Sequence, residues 1–321
     1  MSFKTKQQKK SSFPCLLVLL IFLTVAAAVT GLSINLMRNG QPGFVTNLVN
    51  IKPNFENDPY LRDNPNTLQV PTFVKTILFM GSDYTEGGGY RTDVLLLAAF
   101  NTRTGKINLI SFPRDLWVNI PGVGPQRLNT ALPFGGTELL SDTLALNFGF
   151  RPDNFAMVDF DGFKHIIDVM GGVDVDVEKY MEDECWLNDT GWCVIQPGRQ
   201  YMTAGDAFWY VRARKNTSDF DRNRRAQDVV KAIFRKAMNL NVVFKLPELY
   251  GAYREYVDTN LQLGDILPYM SLASEVMKTQ NINQYAVGPE TVTNWITAEG
   301  AMVLIPNCDK IVPGLLMAAA R

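Results

Sequence analysis

The chain has 321 residues, 46% hydrophobic and 20% charged, with 31 Lys and Arg against 32 Asp and Glu, enough apolar content to bury a large core and too little net charge for a disordered chain. The charge is unevenly placed: Lys4, Lys6, Lys9, Lys10 and Arg38 lie in the first 38 residues, no acidic residue appears before Glu56, and without those five the remaining 26 basic residues face 32 acidic ones. A domain of that balance lacks the basic field that displaces counterions, which excludes a general nucleic-acid binder. The single histidine, His165, sits in an apolar helical stretch, so chemistry built on a His base or His metal ligands is not expected.

Residues 1–12 read as a basic tail. From Phe13 to Met37 no charged side chain occurs for 25 residues, and a helix of about 20 residues crosses a hydrocarbon core of about 30 Å. This predicts one transmembrane helix, 13–37. The lysines before it and the single Arg38 after it place the N-terminus in the cytoplasm and the rest of the chain outside. A cleaved signal peptide competes, with Ala26, Ala27 and Ala28 as the small residues of a cleavage site, but the apolar run exceeds an ordinary h-region. Residues 38–72 carry Pro42, Pro53, Pro59, Pro65 and Pro71 without periodicity and read as a linker.

Beyond it, TILFMG, DVLLLAAF and KINLISF read as buried strands, the last two joined through NTRTG as a hairpin. GGTELLSDTLALNFG predicts a helix from near Thr137, and NFAMVDF a strand. DGFKHIIDVMGG predicts a helix capped by Asp161 and stopped at Gly171 or Gly172. VDVDV alternates as a half-exposed strand with Asp174 and Asp176 solvated. AFWYVRAR reads as a strand and SDFDRNRRAQDVVKAIFRKAMNL as a helix. Residues 73–241 thus form an α/β (α+β) domain, a central mixed sheet covered by helices. Residues 242–321 follow as a helical extension packed on or continuing that domain, with helices at LPELYGAYREYV and DILPYMSLASEVMK and a short apolar end.

Cys185 and Cys193 stand eight apart in ECWLNDTGWC. Either a disulfide, the choice favoured outside the cell, or two buried thiols fits that spacing; one Cys pair with no neighbouring His is a poor zinc ligand set.

Two places carry candidate chemistry. In GSDYTEGGGYRTD, Asp83 ends one strand and Asp93 opens the next, so a nine-residue loop returns both carboxylates to one edge of the sheet. Such a pair is most often a turn feature, yet two hard oxygen donors also suit Mg²⁺, which takes its other ligands from phosphate and water. The arginines favour the metal reading. Arg91 lies two residues before Asp93, and Arg114 follows a strand in SFPRD. Arg212 and Arg214 stand i, i+2 in the predicted strand YVRAR and so point to one face; Arg222 and Arg225 stand i, i+3 on the next helix with Gln227 behind. Arg224 reads as solvent-facing. Gathered guanidinium groups repel one another unless an anion binds, and their forks match phosphate oxygens. Metal plus convergent arginines is the equipment of phosphoryl transfer.

At these residues the sequence resembles the LytR-CpsA-Psr family. The matching pieces are GSD at Gly81 to Asp83, YRTDVLLL at Tyr90 to Leu97, ISFPRDLWVNIPG at Ile110 to Gly122, LNTALPFGG at Leu128 to Gly136, VDFDGFKHIIDVMGGVDVDV at Val158 to Val177, YVRAR, and DFDRNRRAQ at Asp219 to Gln227. The resemblance implies a central sheet between helices with an apolar pocket for a prenyl chain and a pyrophosphate at its mouth. It also implies Mg²⁺-assisted transfer, with Mn²⁺ as an alternative, of a glycan phosphate such as teichoic acid or capsule from a polyprenyl-pyrophosphate carrier to a peptidoglycan hydroxyl. On this resemblance Asp83 and Asp93 are metal ligands. Arg91, Arg114, Arg212, Arg214 and Arg222 bind the pyrophosphate and stabilise charge, and Arg225 and Gln227 support them. The family's usual Arg-Gln-Gln is here Arg225, Ala226 and Gln227. Two rival functions use the same residues: hydrolysis of the lipid pyrophosphate, and a non-catalytic lipid-binding or regulatory module.

Overall fold

The computed structural model describes residues 70–85, 89–215, 217–237, 246–262 and 282–312. The predicted tail, membrane span and linker up to residue 69, and the predicted helix DILPYMSLASEVMK, lie outside them. Among the described residues no helix is long and apolar enough to cross a membrane.

The domain is a mixed α/β fold. Strands β1 (Val74–Thr85), β2 (Gly89–Asn101) and β3 (Lys106–Phe112) run antiparallel in chain order. The turn between β2 and β3 forms because Asn101 Oδ1 accepts the backbone N–H groups of Arg103 and Thr104, at 3.0 and 3.1 Å, and Gly105 takes a positive φ. Strands with both faces buried read as continuous apolar runs. Here Leu78, Met80, Leu95, Leu97, Ile110 and Phe112 fill one face and Leu96, Ala98 and Leu109 the other.

β4 (Trp117–Ile120) and β5 (Gly124–Arg127) make a separate hairpin, followed by α1 (Ala131–Phe148), which covers the first face with Leu139, Leu140, Leu144 and Phe148. α1 kinks at Gly135 and Gly136, so its regular part starts at Thr137. β6 (Asn154–Asp159) then pairs parallel with β1. The next helix, α2 (Phe160–Met170), is capped by Asp159, whose side chain accepts from Gly162 N, not by Asp161; the strand hands directly into the helix. Gly162 is where α5 (Leu246–Tyr256) crosses. A Cβ there would stand 2.7 Å from Tyr256 Cβ and 2.8 Å from Val158 Cγ2. Gly162→Ala is therefore expected to cost about 1–3 kcal/mol as overpacking and to lower the melting temperature by several degrees in a thermal scan.

β7 (Val173–Val177) pairs with β10 (Gly198–Met202), burying Val173, Val175 and Val177. Between them β8 (Met181–Glu184) and β9 (Trp192–Ile195) form a hairpin closed by a disulfide between Cys185 and Cys193.

The segment AFWYVRAR is not a strand. It lies in α3 (Ala204–Arg212), opened by a capping box in which Thr203 and Asp206 bond each other's backbone N–H groups. Ala204, Ala207, Phe208, Trp209 and Tyr210 are buried on it, so the cap and the helical packing override the strand preference of Phe-Trp-Tyr-Val. α4 (Asp219–Ala237) lays Val230 and Phe234 over the second face of the sheet, against Phe79 and Phe100.

Among the described residues after 241, the predicted helix LPELYGAYREYV is present as α5, and strands stand beside it. After α5 the chain supplies β11 (Val257–Thr259), which pairs with β6, and β12 (Ile282–Ala286), which pairs parallel with β3. β13 (Val292–Ile296) and β14 (Met302–Pro306) form a further hairpin. Among the described residues the central sheet has the order β11-β6-β1-β2-β3-β12, and the C-terminal segment provides both of its edges.

Candidate active site

β1, β3, β6 and β12 all run the same way, so their C-terminal ends and the start of β2 share one edge of the sheet. That edge is where open α/β sheets bind ligands, and the predicted site residues gather around it. β1 and β2 do not part at Asp83 as the sequence suggested. They stay paired to Thr85 and Gly89, and a shift of register between Gly81 and Ser82 leaves Asp93 as the extra residue of a β-bulge. The bulge resets the pairing at the strand ends. Ser82 and Thr92 are paired and buried, and the Thr92 hydroxyl has no hydrogen-bond partner; Asp83 lies opposite Arg91, Asp83 half-buried and Arg91 exposed.

Arg114 follows β3 by two residues. Its Nη1 donates to Asp93 Oδ1 at 2.5 Å, and its Nε reaches Asp115 Oδ2 at 3.4 Å, with Arg127 Nε 3.1 Å from the other oxygen of Asp115. Burial opposes the charge on Arg114, but the two carboxylates outweigh it and hold its pKa above the ordinary arginine value.

α4 brings its first two turns over the same edge. Arg222 contacts the exposed carboxylate of Asp219. Burial first, and then the neighbouring charges of Arg114 and Arg214, pull its pKa down to about 10, with Asp93 opposing them and Arg225 adding to them. One turn on, Arg225 is 2% exposed; its Nη2 donates to Ala213 O at 2.5 Å, its guanidinium lies 5.8 Å from the Tyr210 ring, and its Nε has no hydrogen-bond partner. Burial lowers its pKa as well, against the Tyr210 hydroxyl and Asp221. Gln227, equally buried, donates to Tyr285 O at 2.5 Å, which ties α4 to β12.

Because α3 is a helix, Arg212 and Arg214 do not share a strand face. Arg212 ends α3 and stacks over Phe160 and Phe208, 4.9 and 5.2 Å from their centroids. Arg214 lies beyond Ala213, in the field of Arg222. Its backbone N–H, with that of Lys215, is held by Asp183 Oδ2 at 2.5 and 3.0 Å. Burial works against the charge on Asp183, but these N–H groups and that of Glu184 keep its carboxyl below the usual range. Arg224 leaves the cluster: it pairs with Glu178 at 2.7 Å and faces Asp228, on the wall of a polar cavity of about 180 Å³ also lined by Asp176, Lys231, Arg235 and Gln284.

Sequence reasoning missed Asp115, Arg127 and Asp183. Asp115 was readable beside Arg114 in SFPRD; Asp183 lies 31 residues from Arg214 with no local pattern to link them.

Asp83 and Asp93 offer hard oxygen donors, with Asp93 about one-third exposed (34%) beside its bond to Arg114. No cluster of three or more acidic, His or Cys side chains joins them among the described residues. That pair suits Mg²⁺, which takes one or two carboxylates and completes its shell with phosphate and water, rather than a fully protein-caged ion.

The site thus gathers one buried arginine, Arg225, with the part-buried Arg114 and Arg222 and two carboxylates at the C-terminal edge of an α/β sheet. The chain belongs to the LytR_cpsA_psr family, whose model matches residues 51–311. It is 34% identical over 189 residues to the regulatory protein MsrR of Staphylococcus aureus (strain COL), covering 58% of this chain and 56% of that protein, so it spans just over half the length of that relative. It is 29% identical over 231 residues, 70% of each chain, to the polyisoprenyl-teichoic acid–peptidoglycan teichoic acid transferase TagU of Oceanobacillus iheyensis. Its fold is similar to the crystal structure of B. subtilis TagV, with a TM-score of 0.66 and 24% identity over 78% of this chain and 98% of that one. It is also similar to that of TagT bound to LIIa-WTA, with a TM-score of 0.62 and 22% identity over 78% and 92%.

Proposed function

We propose that this protein transfers a phosphate-linked glycopolymer from a polyprenyl-pyrophosphate carrier to a hydroxyl of peptidoglycan, from a domain anchored on the outer side of the cell membrane. The observation that carries the reading is the convergence of arginines at one edge of the sheet: Arg114 lies on Asp93, and Arg222 feels Arg114, Arg214 and Arg225, whose like charges add to burial in pulling its pKa down to about 10. A pyrophosphate supplies what such a cluster lacks, and the TagU relative carries a polyisoprenyl-linked polymer in its name. The membrane anchor rests on the uncharged run Phe13–Met37.

In this mechanism Arg114 and Arg222 grip the pyrophosphate, Arg214 and Arg91 flank it, and buried Arg225 and Gln227 fix α4 so that Arg222 is aimed at the ligand. The acceptor hydroxyl attacks the phosphorus on the glycan side. A new O–P bond forms there, the bond to the bridging oxygen breaks, polyprenyl phosphate leaves with the electron pair, and the hydroxyl proton passes to the leaving phosphate or to water. Charge spreads over the phosphoryl oxygens as the bonds exchange, and fixed guanidinium groups stabilise it with little rearrangement. Asp83 and Asp93 would hold Mg²⁺, which supplies Lewis-acid neutralisation of the pyrophosphate oxygens. Arg114 orients Asp93 for this role through their 2.5 Å bond.

The test is transfer of a labelled polyprenyl-pyrophosphate glycan to peptidoglycan by the full chain in proteoliposomes, with Mg²⁺ or EDTA. Metal-dependent labelling of the wall that Asp93→Ala reduces at least a hundredfold is the expected result. Cleavage of the lipid with no labelling at any peptidoglycan concentration would replace transfer by hydrolysis, and binding without turnover would leave only a binding module.

A further inference from the structure

The β13–β14 hairpin carries three large exposed apolar side chains, and the transfer reaction leaves them unused. Trp295 is 47% exposed, Ile296 62% and Met302 73%. Trp295 and Ile296 are successive strand residues, so they point to opposite faces, and both are exposed. The end of the ribbon therefore shows apolar groups on both faces, although Thr297 beside them is buried.

Its position comes from the pairing. Leu304 lies beside Leu116 in a parallel bridge, and Leu304 N–H donates to Asp115 O at 3.0 Å. Residues before Leu304 therefore fall on the side of residues before Leu116, which is the side of Arg114. Ile296 opposes Met302, and the turn at 297–301 lies further out in that direction. Arg127 joins the two features: its Nη2 donates to Met302 O at 3.0 Å, and its Nε faces Asp115. Trp117 packs edge-on against Trp295, with ring centroids 6.1 Å apart.

We infer that this hairpin dips into the surface of the lipid bilayer and holds the pyrophosphate site at headgroup level. The inference rests on the proposed polyprenyl-pyrophosphate carrier. A polyprenyl pyrophosphate keeps its tail in the membrane, so its phosphates are available only within a few ångströms of the headgroups. The predicted linker from Arg38 to the first described residue would let the domain wander on the order of 30 Å, too far for a fixed encounter. Trp beside Ile and Met, with an arginine at the base, is the composition that settles at a membrane interface. Glu299, the only charged residue from Val292 to Pro306, is at the turn and limits the depth to the interface.

The test uses the full chain reconstituted in phosphatidylethanolamine and phosphatidylglycerol vesicles containing brominated lipid. Fluorescence quenching should be clearly greater for the native chain than for Trp295→Phe, and the Ile296→Asp/Met302→Asp chain should lose the same increment. Equal quenching in all three overturns the inference, as does a concentration-dependent dimer that covers Trp295. The second readout is turnover. The double variant should turn over a bilayer-embedded long-chain donor at least tenfold more slowly while handling a short-chain, water-soluble donor at the native rate. Equal slowing on both donors overturns the inference, and so does no slowing on either. If no donor is turned over by the native chain, the carrier reading fails, and quenching still decides whether the hairpin meets the membrane.

Discussion

Arg114→Ala is expected to slow transfer about a thousandfold, the loss usual for a guanidinium that meets developing phosphoryl charge. Arg114 donates to Asp93 at 2.5 Å and touches Asp115, so its removal takes a cation from the reacting group and lets Asp93 drift from its aim. Arg114→Lys separates the two effects. A lysine restores the charge but not the flat fork that meets two oxygens together, and should recover about tenfold of the lost rate. Because Arg114 and Asp93 act as a unit, Asp93→Ala in the Arg114→Ala background should cost far less than in the native chain. The measurement is the initial rate of wall labelling for the four chains of this cycle. Additive losses would mean that the two side chains work independently, and a native rate for Arg114→Ala would remove it from the chemistry.

Much of this site could be read from the sequence because each piece is local. The apolar runs of β1, β2 and β3 and the turn at Asn101–Gly105 follow from composition, and the helical period of α4 puts Arg222 and Arg225 one turn apart. Features that depend on register or on distant partners escaped. A one-residue bulge carries Asp93 out of the ladder and turns Arg91 and Asp83 across from each other; no residue pattern announces it. The run Phe-Trp-Tyr-Val suits a buried strand as well as a helix, and the Thr203–Asp206 box with the packing of the helix decides for α3. That misreading placed Arg212 and Arg214 on a common face. The helix instead sends Arg212 over Phe160 and leaves Arg214 to the hold of Asp183. Of the hairpin Val292–Pro306, only the second strand fell in the stretch read as a short apolar end, and the first had no reading, since the hairpin's place depends on Asp115 and Leu116, far back in the chain.

Arg222→Gln should give opposite signs for activity and stability. A base whose pKa falls on folding, from the ordinary arginine value to about 10, is charged at a cost to the fold at every pH below about 10. The cost fades only as pH rises through about 10, where the native chain binds its proton less tightly than the unfolded chain does. At neutral pH the penalty is in full force, on the order of 1–3 kcal/mol after allowing for partial exposure and the Asp219 contact. Removing the charge should then raise the melting temperature of the ligand-free protein by several degrees while transfer falls at least a hundredfold. Inorganic pyrophosphate should stabilise the native chain, because the anion cancels the same repulsion, and should do much less for Arg222→Gln. A variant that melts below the native chain without ligand would show that Arg222 supports the fold. Equal stabilisation of both by pyrophosphate would place the anion elsewhere. The expected pair of results would mean that this edge of the sheet is kept strained for the ligand it receives, the usual relation between a binding site and the stability it gives up.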